Sequence, residues 1–205
     1  MPALPHSMTK TCSELIDAAG KGALELVASL LESGVKPNCH LRDGFTPLMA
    51  AAGAGHADVA RLLLQQGADP NATDDHGQNA LMTAAGNSRP AVVETLLDHG
   101  ADPHAQNRSD AEPFAGWTAL MHAAASGDLE SLVMLISRSV DLNMQDASGE
   151  TALMKATESC NTALVQVLLR AGADKQLSSL DGLTALDIAN QLGQTRIAEL
   201  LEADT

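Results

Sequence analysis

The chain has 205 residues, of which 45% are hydrophobic but only 1% aromatic, so a core of conventional ring packing is excluded in favour of alanine and leucine. Twelve basic residues stand against 26 acidic ones, a formal net charge of -14 that argues against binding nucleic acid through its phosphates or docking on anionic lipid. Cys12, Cys39 and Cys160 are odd in number, far apart and without a CxxC pair. That pattern reads as no disulfide framework and suits a reducing compartment.

In chain order, the opening "MPALPHSMTKTCSELIDAAGKG" has no basic stretch leading into an unbroken apolar run, so no secretory signal is visible. No apolar run approaches the ~18 residues of a membrane span. A cytoplasmic location is expected, with residues 1–12 as a tail. Next comes "SELIDAAGKGALELVASLLESGVKPN", then "DGFTPLMAAAGAGHADVARLLLQQGADPNA" and "HGQNALMTAAGNSRPAVVETLLDHGADPHA". After these follow "AGWTALMHAAASGDLESLVMLISRSVDLNM", "SGETALMKATESCNTALVQVLLRAGADKQL" and "DGLTALDIANQLGQTRIAELLEADT". Their leading glycines, Gly44, Gly77, Gly116, Gly149 and Gly182, are spaced 33, 39, 33 and 33 residues apart.

Each unit predicts two short helices. Thr46, Asn79, Thr118, Thr151 and Thr184 stand as N-caps of the first helix, and Pro47 suits its first position. Paired small residues such as Ala51–Ala52, Ala84–Ala85 and Ala123–Ala124 allow close approach of neighbouring units. The second helix carries apolar residues at helical spacing, as in Val59, Leu62 and Leu63, and stops at Gly34, Gly67, Gly100 or Gly172. The fourth of these units has Ser139 there instead, which predicts a different helix end. No unit can bury its apolar face alone, so the stack is the structure. Polar Ser13, Glu14 and Lys21 at one end and Gln191, Gln194, Arg196 and Glu199 at the other read as caps.

Period, TPLM/TALM cores and GAD turns together resemble the ankyrin repeat, a turn and two helices in about 33 residues with the signature T-P-L-H-x-A. The resemblance runs from Ser13 to the C-terminus. It implies an all-α ankyrin-repeat solenoid of helix–turn–helix units joined by β-turn or hairpin loops. The domain is expected at 13–205: an N-cap repeat at 13–42, repeats at 43–75, 76–106, 107–147 and 148–180, and a C-cap repeat at 181–205. The family's histidine is replaced by Met49, Met82, Met121 and Met154, then by Asp187, so its framework hydrogen bonds must be lost or replaced.

No phosphate loop, dinucleotide fingerprint, HExxH, GxSxG or EF-hand loop occurs, and neither a catalytic set, a metal site nor a cofactor is expected. His99 and His104 flank a turn that points them apart. His56 falls where the ankyrin pattern often has histidine, so a framework role is expected of it. His122 lacks a nucleophile or orienting acid and is expected to line a groove. Cys160 is expected to be a buried or half-buried inert thiol.

Comparing the units separates framework from freely varying positions. After the leading glycine come Phe45, Gln78, Trp117, Glu150 and Leu183; in the first helix come Ala50, Thr83, His122, Lys155 and Ile188. At its end stand Gly86–Asn87 and Glu158–Ser159, among others. The ankyrin resemblance places these positions in a concave groove that binds proteins. Between Gln106 and Gly116 lie nine residues where other junctions have three, so six are extra. They carry Asp110, Glu112 and Phe114 in a segment expected to form a finger at 107–117.

The expected function is therefore non-enzymatic binding of a partner protein by a monomer, with no nucleic acid and no membrane. Phe45, Gln78, Asn87, Asp110, Glu112, Phe114, Trp117, His122, Glu150, Lys155 and Glu158 are the expected contact residues, aromatics as anchors and carboxylates facing a basic patch. The alternative is an acidic inhibitor or mimic that sequesters a basic, nucleic-acid-binding protein. Self-association through the alanine-rich surface is a further possibility the sequence leaves open.

Overall fold

The computed structural model describes residues 11–108 and 115–203. Among these described residues twelve helices follow one another in pairs: α1 (Cys12–Gly20) with α2 (Leu24–Glu32), α3 (Pro47–Ala54) with α4 (Ala57–Gln65), and α5 (Ala80–Gly86) with α6 (Pro90–Asp98). Then come α7 (Ala119–Ser126) with α8 (Leu129–Ser137), α9 (Ala152–Glu158) with α10 (Thr162–Arg170), and α11 (Ala185–Gln191) with α12 (Thr195–Glu202). First helices pack on first helices and second on second, so the pairs make two parallel rows. The first helix begins with Thr11 as its N-cap, slightly ahead of the expected boundary at residue 13.

The local reasons are those written in the sequence. Thr46, Asn79, Thr118, Thr151 and Thr184 each cap a first helix by accepting from the backbone N–H three residues on. Such a cap contributes about 1 kcal/mol. Ala51, Ala52, Ala84, Ala85, Ala123 and Ala124 are wholly buried in the first-helix row, where small side chains let neighbouring units approach closely, and Thr157 takes the same frame position in the fifth unit, equally buried. In the other row, Leu30, Leu63, Leu96, Leu135, Leu168 and Leu201 recur at the same frame position, all buried. Met49, Met82, Met121 and Met154 are core residues at the family's histidine position, so apolar packing replaces a hydrogen-bonding ring there. Exposed Asp187 instead forms a capping box with Thr184.

Between pairs the chain makes short hairpins, marked by bridges Thr73–Asn79, Gln106–Thr118 and Ser178–Thr184. Neighbouring hairpins are tied by single backbone bonds. Asp75 N–H donates to the Asp43 carbonyl, Arg108 to His76, Ala147 to Ala115 and Leu180 to Ser148, at 2.8–2.9 Å. In ordinary units the residue that donates backward and the residue that accepts forward are consecutive, as Asp75–His76 and Ala147–Ser148 are. In the fourth unit they are Arg108 and Ala115. Residues 109–114 are thus spliced between them without breaking the ladder.

Three features differ from expectation. Cys12 and Cys39 are joined by a disulfide, with Cα atoms 5.7 Å apart, so the reading of all cysteines as unpaired is corrected. CxxC spacing misses a pair that only the folded unit brings together. Cys160 is free but exposed rather than buried, because it occupies the left-handed residue after a first helix, at φ 56°. Ser139 also takes the left-handed conformation of the helix-ending glycines, φ 58°, at the strain that a Cβ adds there, but among the described residues Val140 N–H makes no counterpart of the bonds that Ala68 and Ala101 N–H donate to the Leu63 and Leu96 carbonyls.

Candidate functional site

The varied positions of the fourth and fifth units converge on one cluster at the foot of the insertion. Its root is closed by Asn107, whose side-chain Oδ1 accepts from Trp117 N–H at 2.7 Å. Its backbone N–H donates to the Trp117 carbonyl, and its own carbonyl accepts from Gly116. The frame equivalents Asp74 and Asp146 receive the N–H groups of Gln78 and Glu150 in the same way. Asn107 therefore performs across ten residues the turn closure that those aspartates perform across four. Gly116, at φ 80°, leaves the gap through which the next hairpin approaches, since a Cβ would lie 3.0 Å from the Ala147 nitrogen.

Trp117 is held below this root and is only 6% exposed. The His122 ring meets it edge-on, with centroids 5.1 Å apart. The Lys155 ammonium lies 4.8 Å from its ring centroid. Lys155 is itself buried and ion-paired with Glu150, with Asp146 at 3.4 Å and with Glu158 at 3.8 Å. One cation is therefore surrounded by three carboxylates. Burial opposes the Lys155 charge, but the hydrogen bond it donates to Glu150 and the attraction of Glu158, Glu150 and Asp146 outweigh it and raise its pKa. Partial burial, with repulsion from Glu150 and Asp146, raises the Glu158 pKa against the pull of Lys155. Burial lowers the His122 pKa to about 4, and its Nε2 is buried with no hydrogen-bond partner among the described residues.

Of the expected contact residues, Trp117, His122, Glu150, Lys155 and Glu158 thus form one network spanning two units. Glu158 is its most exposed member, with 44% of its side chain accessible. Trp117 and Lys155 turn inward and present little surface. Phe45 and Gln78 are half-buried on earlier hairpins, and Asn87 is exposed at the end of α5, its Nδ2 donating to the Thr83 carbonyl. These three belong to the same series of positions but not to the cluster. Asp110, Glu112 and Phe114 lie outside the described residues. Sequence reading passed over Asp146 and Asn107; their recurrence with Asp74 at intervals of 33 and 39 residues was the available signal. His99 and His104 go to separate partners, the Thr95 carbonyl and Asp102. Among the described residues no group of three or more His, Cys, Asp or Glu could hold a metal ion.

The first and second helix rows, the hairpin ladder and the 33-residue frame find direct counterparts among known proteins. The sequence model described as ankyrin repeats (3 copies) matches residues 15–107 and 120–204, and that described as ankyrin repeats (many copies) matches 83–136. A chain of the solved complex between the predatory endopeptidase Bd0816 of Bdellovibrio bacteriovorus and the immunity protein Bd3460 is similar, with TM-score 0.83 and 28% identity, covering 93% of this chain and 97% of that one. The ankyrin repeat domain of Bcl-3, a member of the IkappaB protein family, is similar with TM-score 0.79 and 30% identity over 93% of this chain and 86% of its own. No curated protein sequence matches significantly. No helix among the described residues is long and apolar enough to cross a membrane. Ankyrin repeats are in general non-enzymatic interaction modules, and this chain belongs to the ankyrin-repeat family.

Proposed function

We propose that this chain binds a partner protein along its first-helix row and hairpins, acting by recognition and without chemistry of its own. The finger at 107–117 supplies Asp110, Glu112 and Phe114. Phe45, Gln78, Asn87 and Glu158 extend the contact across neighbouring units. The Trp117–His122–Lys155–Glu150 network braces the junction into which the finger is inserted. The observation that carries this reading is the splice itself: six residues enter between Arg108 and Ala115 while the ladder on both sides stays in register. An insertion on one rigid edge of a solenoid is a common place for recognition.

Deleting residues 109–114 tests it. The deletion rejoins Arg108 to Ala115 as Asp75 joins His76, so the variant should fold. Affinity capture from the native cells should recover a partner with the wild type and lose it with the deletion. A partner held equally by both would reduce the finger to a spacer.

A second reading is favoured by the charge of -14 and by the likeness to a chain of an endopeptidase–immunity protein complex. In it the partner is an enzyme, or another protein with a basic surface, that this chain holds in check. Adding the chain to the captured partner and assaying that partner's activity separates restraint from simple tethering. Steep weakening of capture with salt would mark a mainly electrostatic contact.

A further inference from the structure

The first unit differs from the other five in what supports it. At the frame position of Val59, Val92, Ser131, Leu164 and Ile197, all buried, it has Leu26, which is 51% exposed. Among the described residues α1 and α2 have no unit before them. The cystine lies here. Cys12 opens α1 and Cys39 sits in the turn after α2, 27 residues later, so the cross-link encloses the whole first pair. In the repeating frame the two positions correspond to Phe45 and Ala72, Gln78 and Ala105, Trp117 and Met144, and Glu150 and Leu177. The end unit thus has a covalent tie where later units have none, and where its apolar face lacks a neighbour.

From this cystine we infer that the chain matures and acts in an oxidising compartment, outside the reducing cytosol, and meets its protein partner there. The clause about the partner rests on the binding function proposed above; the clause about the compartment does not. Structural disulfides form and persist in oxidising surroundings and are rare where glutathione and thioredoxin keep thiols reduced. In forming the bond, the Cys12 and Cys39 thiols release two protons and two electrons. A disulfide-bearing thiol oxidoreductase of that compartment accepts them and leaves as a dithiol. Cys160, between α9 and α10, remains a thiol. With Cys12 joined to Cys39, the odd number and wide spacing of the cysteines no longer point to a reducing compartment.

The test is thiol trapping of the full chain in its native cells. Cells are quenched with acid, free thiols are alkylated with N-ethylmaleimide, and the intact protein is weighed before and after reduction. One adduct before reduction, on Cys160, and three when reduction precedes alkylation are expected. A Cys12→Ser, Cys39→Ser double variant should show one adduct under both treatments, which fixes the assignment. Three adducts on the wild type before reduction would overturn the inference. Since the mass is read on the chain alone, this result is independent of whether deletion of 109–114 abolishes binding.

Discussion

Lys155 reaches back across a unit boundary to Trp117, placing its ammonium 4.8 Å from the ring centroid while Asp146, Glu150 and Glu158 surround it. This one side chain links the fourth unit, which bears the insertion, to the turn and first helix of the fifth. Replacing it should expose how much the junction depends on it. Lys155→Met keeps the length and apolar stem but leaves three carboxylates without their cation, one of them, Asp146, with a fully buried side chain. Breaking a buried pair by removing one partner costs about 3–5 kcal/mol, and partial exposure of Glu150 and Glu158 brings the expectation to about 2–3 kcal/mol. Urea denaturation followed by fluorescence of Trp117, the chain's single tryptophan, reads it. A loss below about 0.5 kcal/mol, the level of a surface pair, would show that Lys155 is not the junction's cation.

The same carboxylate surplus sets the expected behaviour of Glu158. Its pKa is raised in the folded chain, so the folded state holds its proton more tightly than the unfolded state does. That contribution is fully present below the ordinary value of 4.5 and is lost as pH rises through the folded pKa. At neutral pH the ionised group therefore opposes folding. Glu158→Gln should raise the thermal midpoint at pH 7 and make little difference once both forms are protonated in acid. A lower midpoint at pH 7 would mean that the pairing with Lys155 outweighs the repulsion.

How much of this could be read without coordinates varies with the kind of interaction. Caps, stops and the splice are local or periodic: Thr118 three residues before Met121, or nine residues where three are usual, can be counted. The direction in which Trp117 turns cannot, because it depends on His122 in its own unit and on Lys155 one unit later. Residue variation at those positions is the same whether a side chain points to a partner or across a junction. Five of the eleven expected contact residues proved to be neighbours of one another for that reason. Cys12 and Cys39 were missed on similar grounds, since 27 residues of separation become a contact only when α1 and α2 fold back together.

His122 predicts an acid-side dependence of its own. Burial lowers its pKa from 6.5 to about 4, so the folded chain keeps the ring neutral where the unfolded chain protonates it. The stability is present above pH 6.5 and is lost as pH falls from there toward 4. The difference, 6.5 − 4 = 2.5 pH units, corresponds to up to about 3 kcal/mol at 1.36 kcal/mol per unit. NMR titration of the His122 ring should show it protonating near pH 4. His122→Gln should flatten the stability profile across that window. Protonation of His122 near the ordinary value of 6.5 would remove the basis for this expectation.

The cystine makes a prediction about stability that is separate from location. Closing the loop between Cys12 and Cys39 should contribute about 3.5 kcal/mol through the unfolded chain alone. Because a solenoid's units are coupled mainly to their neighbours, the effect should concentrate at one end. Reduction, or the Cys12→Ser, Cys39→Ser variant, should increase hydrogen exchange in residues 11–42 and leave α9–α12 almost unchanged. Equal loosening throughout the chain would mean that the first unit does not open on its own.

The junction at the insertion lacks a tie that its neighbours have. Asn38 donates to the Gly67 carbonyl and accepts from Asp69 N–H; Asn71 does the same with Gly100 and Asp102; and Asn143 accepts from Asp174 N–H. The frame places His104 in that role toward Ser139 and Asp141, but its ring is near Asp102 and no such bond forms among the described residues. The ion pair between Arg138 and Asp98 bridges the same pair of units, but both side chains are well exposed, so its contribution is small. Restoring the amide should therefore tighten this junction. His104→Asn should add about 1–2 kcal/mol for two hydrogen bonds, seen as a higher urea midpoint and slower exchange at residues 139–142. If partner binding draws on compliance of the finger-bearing unit, the same substitution should also change the association rate. An unchanged midpoint would show that the chain from Ser139 to Asp141 is not positioned to receive the amide, and that the insertion has reset the geometry of this junction.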